Sequence, residues 1–140
     1  MNKVYARIYQ GAIMIGNYFL GYRTPATLTG AGCIRKLPEQ IKARGLKQIL
    51  VVCGPNILKR GMLNSLFEEL DKQEIKYTVF SDLQANPTDE NVEAGLKVFK
   101  ENGCQGIIAF GGGSPMDCAK AIAARNANPR KTVAQMQGLL

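Results

Sequence analysis

Read for its apolar positions, the chain divides into a weakly patterned first thirty residues and a regular remainder. In the remainder, short apolar runs alternate with longer segments whose apolar residues recur every three or four positions. The runs read as buried strands and the longer segments as helices with one apolar face. Leu37, Ile41 and Leu46 mark a charged helix ending near Gly45. Gln48–Cys53 is a strand of high β-propensity, closed by Gly54-Pro55-Asn56. Residues 57–60 form a short helical piece, which Gly61 interrupts. Asn64–Lys72 is an amphipathic helix, with Leu63, Leu66, Phe67 and Leu70 on one face. Residues 75–80 are the second strand. Asn86-Pro87-Thr88 is a turn able to cap a helix that starts near Asp89, carries Val92, Leu96, Val98 and Phe99, and ends at Asn102-Gly103. Gly106–Phe110 is a third buried strand, and another helix follows it.

The order helix, strand, helix, strand, helix, strand, helix implies parallel pairing through right-handed crossovers. The expected fold class is α/β, a Rossmann-like doubly wound parallel sheet, which binds ligands beyond the carboxyl ends of its strands. The early residues are less definite. Residues 4–9 alternate weakly, as a strand would, and residues 11–21 suit a short helix as well as a strand. Residues 21–25 read as a turn and residues 26–29 as a short strand before Gly30-Ala31-Gly32. With 140 residues the chain is one domain. After a polar turn at 126–131, an apolar pattern begins at Thr132 and stops at Leu139-Leu140, which suggests a truncated chain.

The third strand runs into Gly111-Gly112-Gly113-Ser114-Pro115-Met116-Asp117. Ser114 is the expected N-cap, Pro115 suits the first helical position, and Asp117 falls where a capping box places its acid. A strand, a bare turn and a helix N-terminus together present free N–H groups and the positive end of a helix dipole, a place suited to a phosphate. Tight turn geometry alone also uses glycine, but three in a row exceed that need. The motif is neither a Walker loop nor a standard G-x-G-x-x-G. Asp117 either caps its own helix or faces the ligand mouth, and Lys120 is placed to pair with it. Gly54 ends the first strand where dinucleotide folds use an acid on the ribose, so a 2′-phosphate meets room and no repulsion.

Composition narrows the chemistry. A hydrophobic share of 46% and a charged share of 21% are those of a soluble globular chain. No apolar run approaches the roughly 20 residues of a membrane span. The first residues lack a signal peptide's apolar core, so the expected location is cytoplasmic. Cys33, Cys53, Cys104 and Cys118 form no C-x-x-C pair and read as buried free thiols rather than a zinc or redox cluster. Histidine is absent, which excludes Ser-His, Cys-His and His-metal schemes within these residues. The net charge is +7, but the basic residues are spread out and aromatic interleaving is sparse. That favours a solvated surface with some bias toward phosphates; neither nucleic acid nor membrane is an expected partner.

The stretch from Gly111 to Lys120 resembles the G-G-G-S-x-x-D-x-x-K signature of the iron-dependent (group III) alcohol dehydrogenases. Asn86-Pro87-Thr88 resembles that family's N-P-T turn, and Gly30-Ala31-Gly32 followed by Leu37-Pro38 resembles its G-x-G and L-P opening. The similarity covers most of residues 25–127 in order and spacing. The resemblance implies a dehydroquinate synthase-like N-terminal domain that binds NADP or NAD, followed by an all-helical metal-binding domain. It implies a full-length enzyme, expected as a homo-oligomer, that transfers hydride between NAD(P)H and a primary alcohol or aldehyde with the help of iron or zinc. In the family the pyrophosphate sits on the glycine loop, here Gly112, Gly113 and Ser114, while the Asn86 turn and Asp117 line the same cleft. The family often has aspartate where Gly54 stands, so NADP(H) is expected to be accepted and preferred. The family's metal is held by one aspartate and several histidines, mostly from the helical domain, and a Thr- and Gly-rich cofactor segment also lies further along. No residue of this chain is therefore assigned to catalysis or to a metal, and the 140 residues alone are expected to be inactive. The alternatives are a non-catalytic nucleotide-binding module of the same fold or a relative of the zinc glycerol dehydrogenases, which share the superfamily and a looser glycine pattern.

Overall fold

The computed structural model describes residues 27–136 and the single position 7. The elements expected across residues 4–25, and the close of the apolar pattern at 137–140, lie outside the described residues. A 3₁₀ turn (Cys33–Lys36) runs into α1 (Leu37–Ala43). There follow β1 (Gln48–Cys53), α2 (Pro55–Lys59), α3 (Asn64–Lys72), β2 (Lys76–Phe80), α4 (Asp89–Glu101), β3 (Gly106–Phe110) and α5 (Gly113–Ala127), with a last 3₁₀ turn at Ala134–Met136. Residues 27–29, read above as strand, are irregular. Leu28 is 42% exposed, so this stretch has no buried face to hold it in a sheet.

The strands pair in parallel in the order β2-β1-β3. β1 is central, and Ile49, Leu50, Val51, Val52 and Cys53 are all fully buried. Alternation along a strand sends them to opposite faces. Leu50 and Val52 join Phe80, Val92, Leu96, Phe99 and Ile122 under α4 and α5. Ile49, Val51 and Cys53 join Ile41, Leu63, Leu66 and Leu70 under α1 and α3. Each buried aliphatic side chain contributes roughly 1.5–3 kcal/mol. Burial on both faces is why β1 reads as an unbroken apolar run. β3 corrects the sequence reading: all five of its residues are only half-buried, because among the described residues it pairs with β1 alone and forms an edge.

The connections reverse direction. The path from β1 to its neighbour β2 runs through α3 on one face, and the path from β2 back past β1 to β3 runs through α4 on the other. The right-handed crossover rule demands opposite faces when the winding reverses. The reversal makes the carboxyl ends of β1 and β3 a topological switch point, where departing segments diverge and leave a crevice.

Candidate functional site

β1 and β3 end side by side, with Cys53 opposite Phe110. The next residues are Gly54 and Gly111, so glycine stands on both sides of the crevice. The glycines there are not equivalent. Gly111 has φ 135°, a conformation that suits glycine alone. A Cβ on it would lie 2.9 Å from both Ile57 Cδ1 and Pro115 Cγ. The fold itself therefore requires Gly111.

Gly112 has φ −82° and ψ −157°, extended backbone open to any residue. A Cβ there meets no described atom within 4 Å. At Gly113 the nearest atom is Asp117 Oδ2, at 3.9 Å. Gly54, at φ −72° and ψ 150°, also has open space around a Cβ. Packing among the described residues demands glycine at none of these three positions. Their bareness leaves room in the crevice for a ligand to approach the backbone.

The helix start differs from the sequence reading. Gly112 is the N-cap of α5, Ser114 is its second residue and Pro115 its third. Proline fits anywhere in the first turn because it has no N–H to leave unpaired. The Ser114 hydroxyl is engaged elsewhere: its Oγ accepts a hydrogen bond from the Asn86 N–H at 3.4 Å. Asp117 makes no cap hydrogen bond either. Its Oδ1 pairs with Lys120 Nζ at 3.5 Å, as the spacing suggested, and both side chains are exposed. That leaves its carboxylate on the rim beside Gly113. The N–H groups of Gly112, Gly113 and Ser114 form no hydrogen bond outside the helix among the described residues. Such N–H groups, at the positive end of the α5 dipole, are available to an anion.

Six residues were expected to contact a cofactor. The structure joins Asn86 to Ser114 by a hydrogen bond and sets Gly113 beside Asp117. Gly112 caps the same helix, and Gly54 lies at the adjacent strand end. Asn86, at φ 61°, is one of two non-glycine residues with positive φ among those described. Sequence reasoning missed Asn91. Thr88 caps α4 and accepts from the Asn91 N–H at 3.4 Å, while Asn91 Oδ1 accepts from the Thr88 N–H at 3.2 Å. The Thr-x-x-Asn spacing was the available signal, a capping box with asparagine in place of the usual Glu or Gln.

Near the crevice the thiols are quiet. All four cysteines are free. Burial pushes the Cys53 and Cys118 thiols up. Burial also raises Cys104, partly opposed by hydrogen bonds involving Gln48 and Thr78. Raised thiols stay protonated and unreactive at neutral pH. Cys33 departs from the expected pattern: it is only half-buried, in a 3₁₀ turn with no buried residue. Among the described residues no group of three or more His, Cys, Asp or Glu side chains could hold a metal ion. No helix among them is long and apolar enough to cross a membrane. A separate surface cleft, at the amino ends of β1 and β2, is lined by Gln48, Asp71, Glu74, Ile75, Lys76 and Tyr77. That cleft sets two carboxylates against one lysine, whereas the single carboxylate at the rim, Asp117, is paired with Lys120, so the rim is the better anion site.

The fold recurs in known proteins. The family model for iron-containing alcohol dehydrogenase matches residues 24–139. Alcohol dehydrogenase 4 of Schizosaccharomyces pombe is 38% identical over 112 residues, 80% of this chain and 26% of that protein. The crystal structure of a 1,3-propanediol oxidoreductase superposes with a TM-score of 0.67 at 33% identity, over 69% of this chain and 25% of that one. Sulfoacetaldehyde reductase from Bifidobacterium kashiwanohense, solved in complex with NAD+, gives a TM-score of 0.73 at 29% identity, over 84% of this chain and 31% of that one. The chain thus spans about a quarter to a third of the length of these relatives.

Proposed function

Because the chain belongs to the iron-containing alcohol dehydrogenase family, we propose that residues 1–140 are the NAD(P)-binding domain of an oxidoreductase acting on a primary alcohol or aldehyde. The observation that carries this reading is the bareness of Gly112 and Gly113. Neither glycine is needed for packing among the described residues, and both sit at a helix N-terminus over a topological switch point. A pyrophosphate there takes the free N–H groups of Gly112, Gly113 and Ser114. Asn86 and Asp117 flank it, with Asp117 placed to accept from a sugar hydroxyl rather than to face the phosphates. The dinucleotide supplies the hydride chemistry when bound; this chain's residues bind and orient it. The named substrates of the relatives, 1,3-propanediol and sulfoacetaldehyde, support an alcohol or aldehyde as the partner in transfer.

The residues present do not fit the family's metal, since the chain has no histidine and its described carboxylates and thiols do not cluster. Iron, or zinc, is assigned to residues of the full-length enzyme outside these 140. We place that enzyme in the cytoplasm as a homo-oligomer. No observation favours a non-catalytic module or a zinc glycerol dehydrogenase relative.

Gly54 extends the proposal to the choice of cofactor. Open space and the lack of an acid at the end of β1 favour acceptance of a 2′-phosphate, hence NADP(H) as well as NAD(H). In the full-length enzyme, Gly54→Asp should move the NADP/NAD ratio of kcat/KM toward NAD by about tenfold, or ~1.4 kcal/mol. An unmoved ratio removes this assignment. The main test is Gly113→Asp. An acid in the first turn of α5 suits the helix dipole, so the thermal midpoint should hold. Its carboxylate would fill the phosphate position, so titration calorimetry should detect no binding of NADP(H) or NAD(H). Unchanged affinity would overturn the pyrophosphate site.

A further inference from the structure

The segment between β2 and α4 reaches across to α5, and one side chain closes it at both ends. Asn91 Nδ2 donates to the Asp82 carbonyl at 3.4 Å, just past β2. Asn91 Oδ1 accepts from the Thr88 N–H at 3.2 Å, just before α4. Between these ends, Leu83 is buried in the core beneath α4 and α5, while Asn86 is exposed with φ 61°. From that position the Asn86 N–H donates to Ser114 Oγ. A hydroxyl has one proton and two acceptor sites. With one acceptor site taken by Asn86, the Ser114 proton is free to turn toward an anion at the α5 N-terminus.

We propose that Asn91 is a positioning residue for the dinucleotide: by clamping Asp82 to Thr88 it fixes the loop that carries Asn86, and through Asn86 it orients the Ser114 hydroxyl toward the pyrophosphate. Asn91 touches no cofactor itself. The inference rests on the pyrophosphate reading of the glycine rim and adds a residue that the signature motifs do not contain. Its chemistry is separable from helix capping. Aspartate at 91 keeps the oxygen that accepts from Thr88 and keeps the backbone N–H that donates to it. It loses the Nδ2 donor and sets a carboxylate oxygen against the Asp82 carbonyl. As an acid in the first turn it also suits the α4 dipole.

The experiment uses the full-length enzyme and compares wild type, Asn91→Asp, Asn91→Ala and Gly113→Asp. Asn91→Asp should hold the thermal midpoint and raise the Kd for NADPH about three- to tenfold, with KM for the dinucleotide rising and kcat at saturation unchanged. The weakening should persist at about 0.5 M salt, where a simple charge effect is screened. Amide exchange at Asn86 should speed up while that of the α4 core does not. Asn91→Ala should weaken binding similarly but also lower the midpoint, because it removes half of the capping box. If Gly113→Asp abolishes binding while Asn91→Asp leaves Kd and Asn86 exchange at wild-type values, the clamp is overturned and the glycine-rim reading stands. A weakening that vanishes in high salt also overturns the clamp. If Gly113→Asp itself binds normally, the underlying site is wrong and Asn91 has nothing to position.

Discussion

Two glycine-bearing regions of this molecule, a lone glycine inside α4 and the triplet leading into α5, differ in physics. At the seam between α4 and α5, a Cβ on Gly95 would run into Ile122 Cδ1 and approach Phe80 Cε1 to 3.1 Å. Ile122 is fully buried and Phe80 nearly so. At the rim, Gly112 and Gly113 face open space apart from the Asp117 carboxylate. The first glycine is there because protein fills its surroundings, the second pair because protein does not. Mid-helix glycine is unfavourable by roughly 1 kcal/mol relative to alanine, so Gly95 is retained against its propensity to let two helices and the sheet approach. No such packing debt explains Gly112 and Gly113. The proposed pyrophosphate would occupy the space they leave.

The largest stability effect expected from this contrast is at the seam. Gly95→Ala should destabilise by about 1–3 kcal/mol through overpacking, after the helix-propensity gain is set against it. Ile122 cannot swing aside cheaply, because all of it is buried. The double variant Gly95→Ala with Ile122→Val removes the colliding Cδ1 and should recover part of the loss. Denaturant midpoints of the two single variants and the double variant read this directly. Additive losses, with no recovery, would mean the seam is not limited by that contact.

Within the rim the next test separates Gly111 from its neighbours. Gly111→Ala meets both a glycine-only φ and the rigid Pro115 ring, and should cost about 1–3 kcal/mol. Gly113→Ala should change stability by less than about 1 kcal/mol, in the stabilising direction, because the helix start admits it. Its dinucleotide affinity should nonetheless fall. Three adjacent glycines would then divide into one that serves the fold and others that serve a ligand. Equal stability losses at 111 and 113 would erase the distinction.

The sequence carried much of this. β1 and α3 match their expected bounds, and the parallel pairing of the strands follows from their alternation with helices, whereas the order β2-β1-β3 comes from the structure. The resemblance implies that Asn86, Gly113, Ser114 and Asp117 line one cleft; the structure joins Asn86 to Ser114 and sets Gly113 beside Asp117. Several of the details that the sequence does not show depend on partners distant along the chain. Ser114 was read as a cap because local pattern cannot know that Asn86, 28 residues earlier, uses its hydroxyl. β3 was read as buried because an apolar run does not say how many neighbours a strand has. Asn91 escaped notice because its amide contact runs to the Asp82 carbonyl, nine residues back. The difference between Gly111 and Gly112 has no signal in the sequence either, since the φ of 135° at Gly111 and the positions of Ile57 and Pro115 decide it.

The smallest effect concerns how the rim is held. The seam is secured by buried apolar contact, which is insensitive to acid, whereas the loop beside the rim is secured by exposed hydrogen bonds at the start of α4. Glu90 is part of that set. Its carboxyl is held below the usual carboxylate range, first by the Thr88 hydroxyl and then by its own backbone N–H. The same Thr88 hydroxyl accepts from the Asn91 N–H. A carboxyl lowered in the folded state stabilises that state above its unfolded pKa, and the contribution is lost as pH falls through the folded value. Between neutrality and the ordinary carboxylate range the contribution should therefore stay constant. Below it, protonation removes the favourable interaction of the carboxylate with Thr88. Glu90→Gln should lower the thermal midpoint slightly at pH 7, and the gap from wild type should close as the medium is acidified below that range. A gap that stays constant down to pH values below it would assign Glu90 no charged role in the cap. The seam variants, by contrast, should keep their difference from wild type at every pH where the protein remains folded.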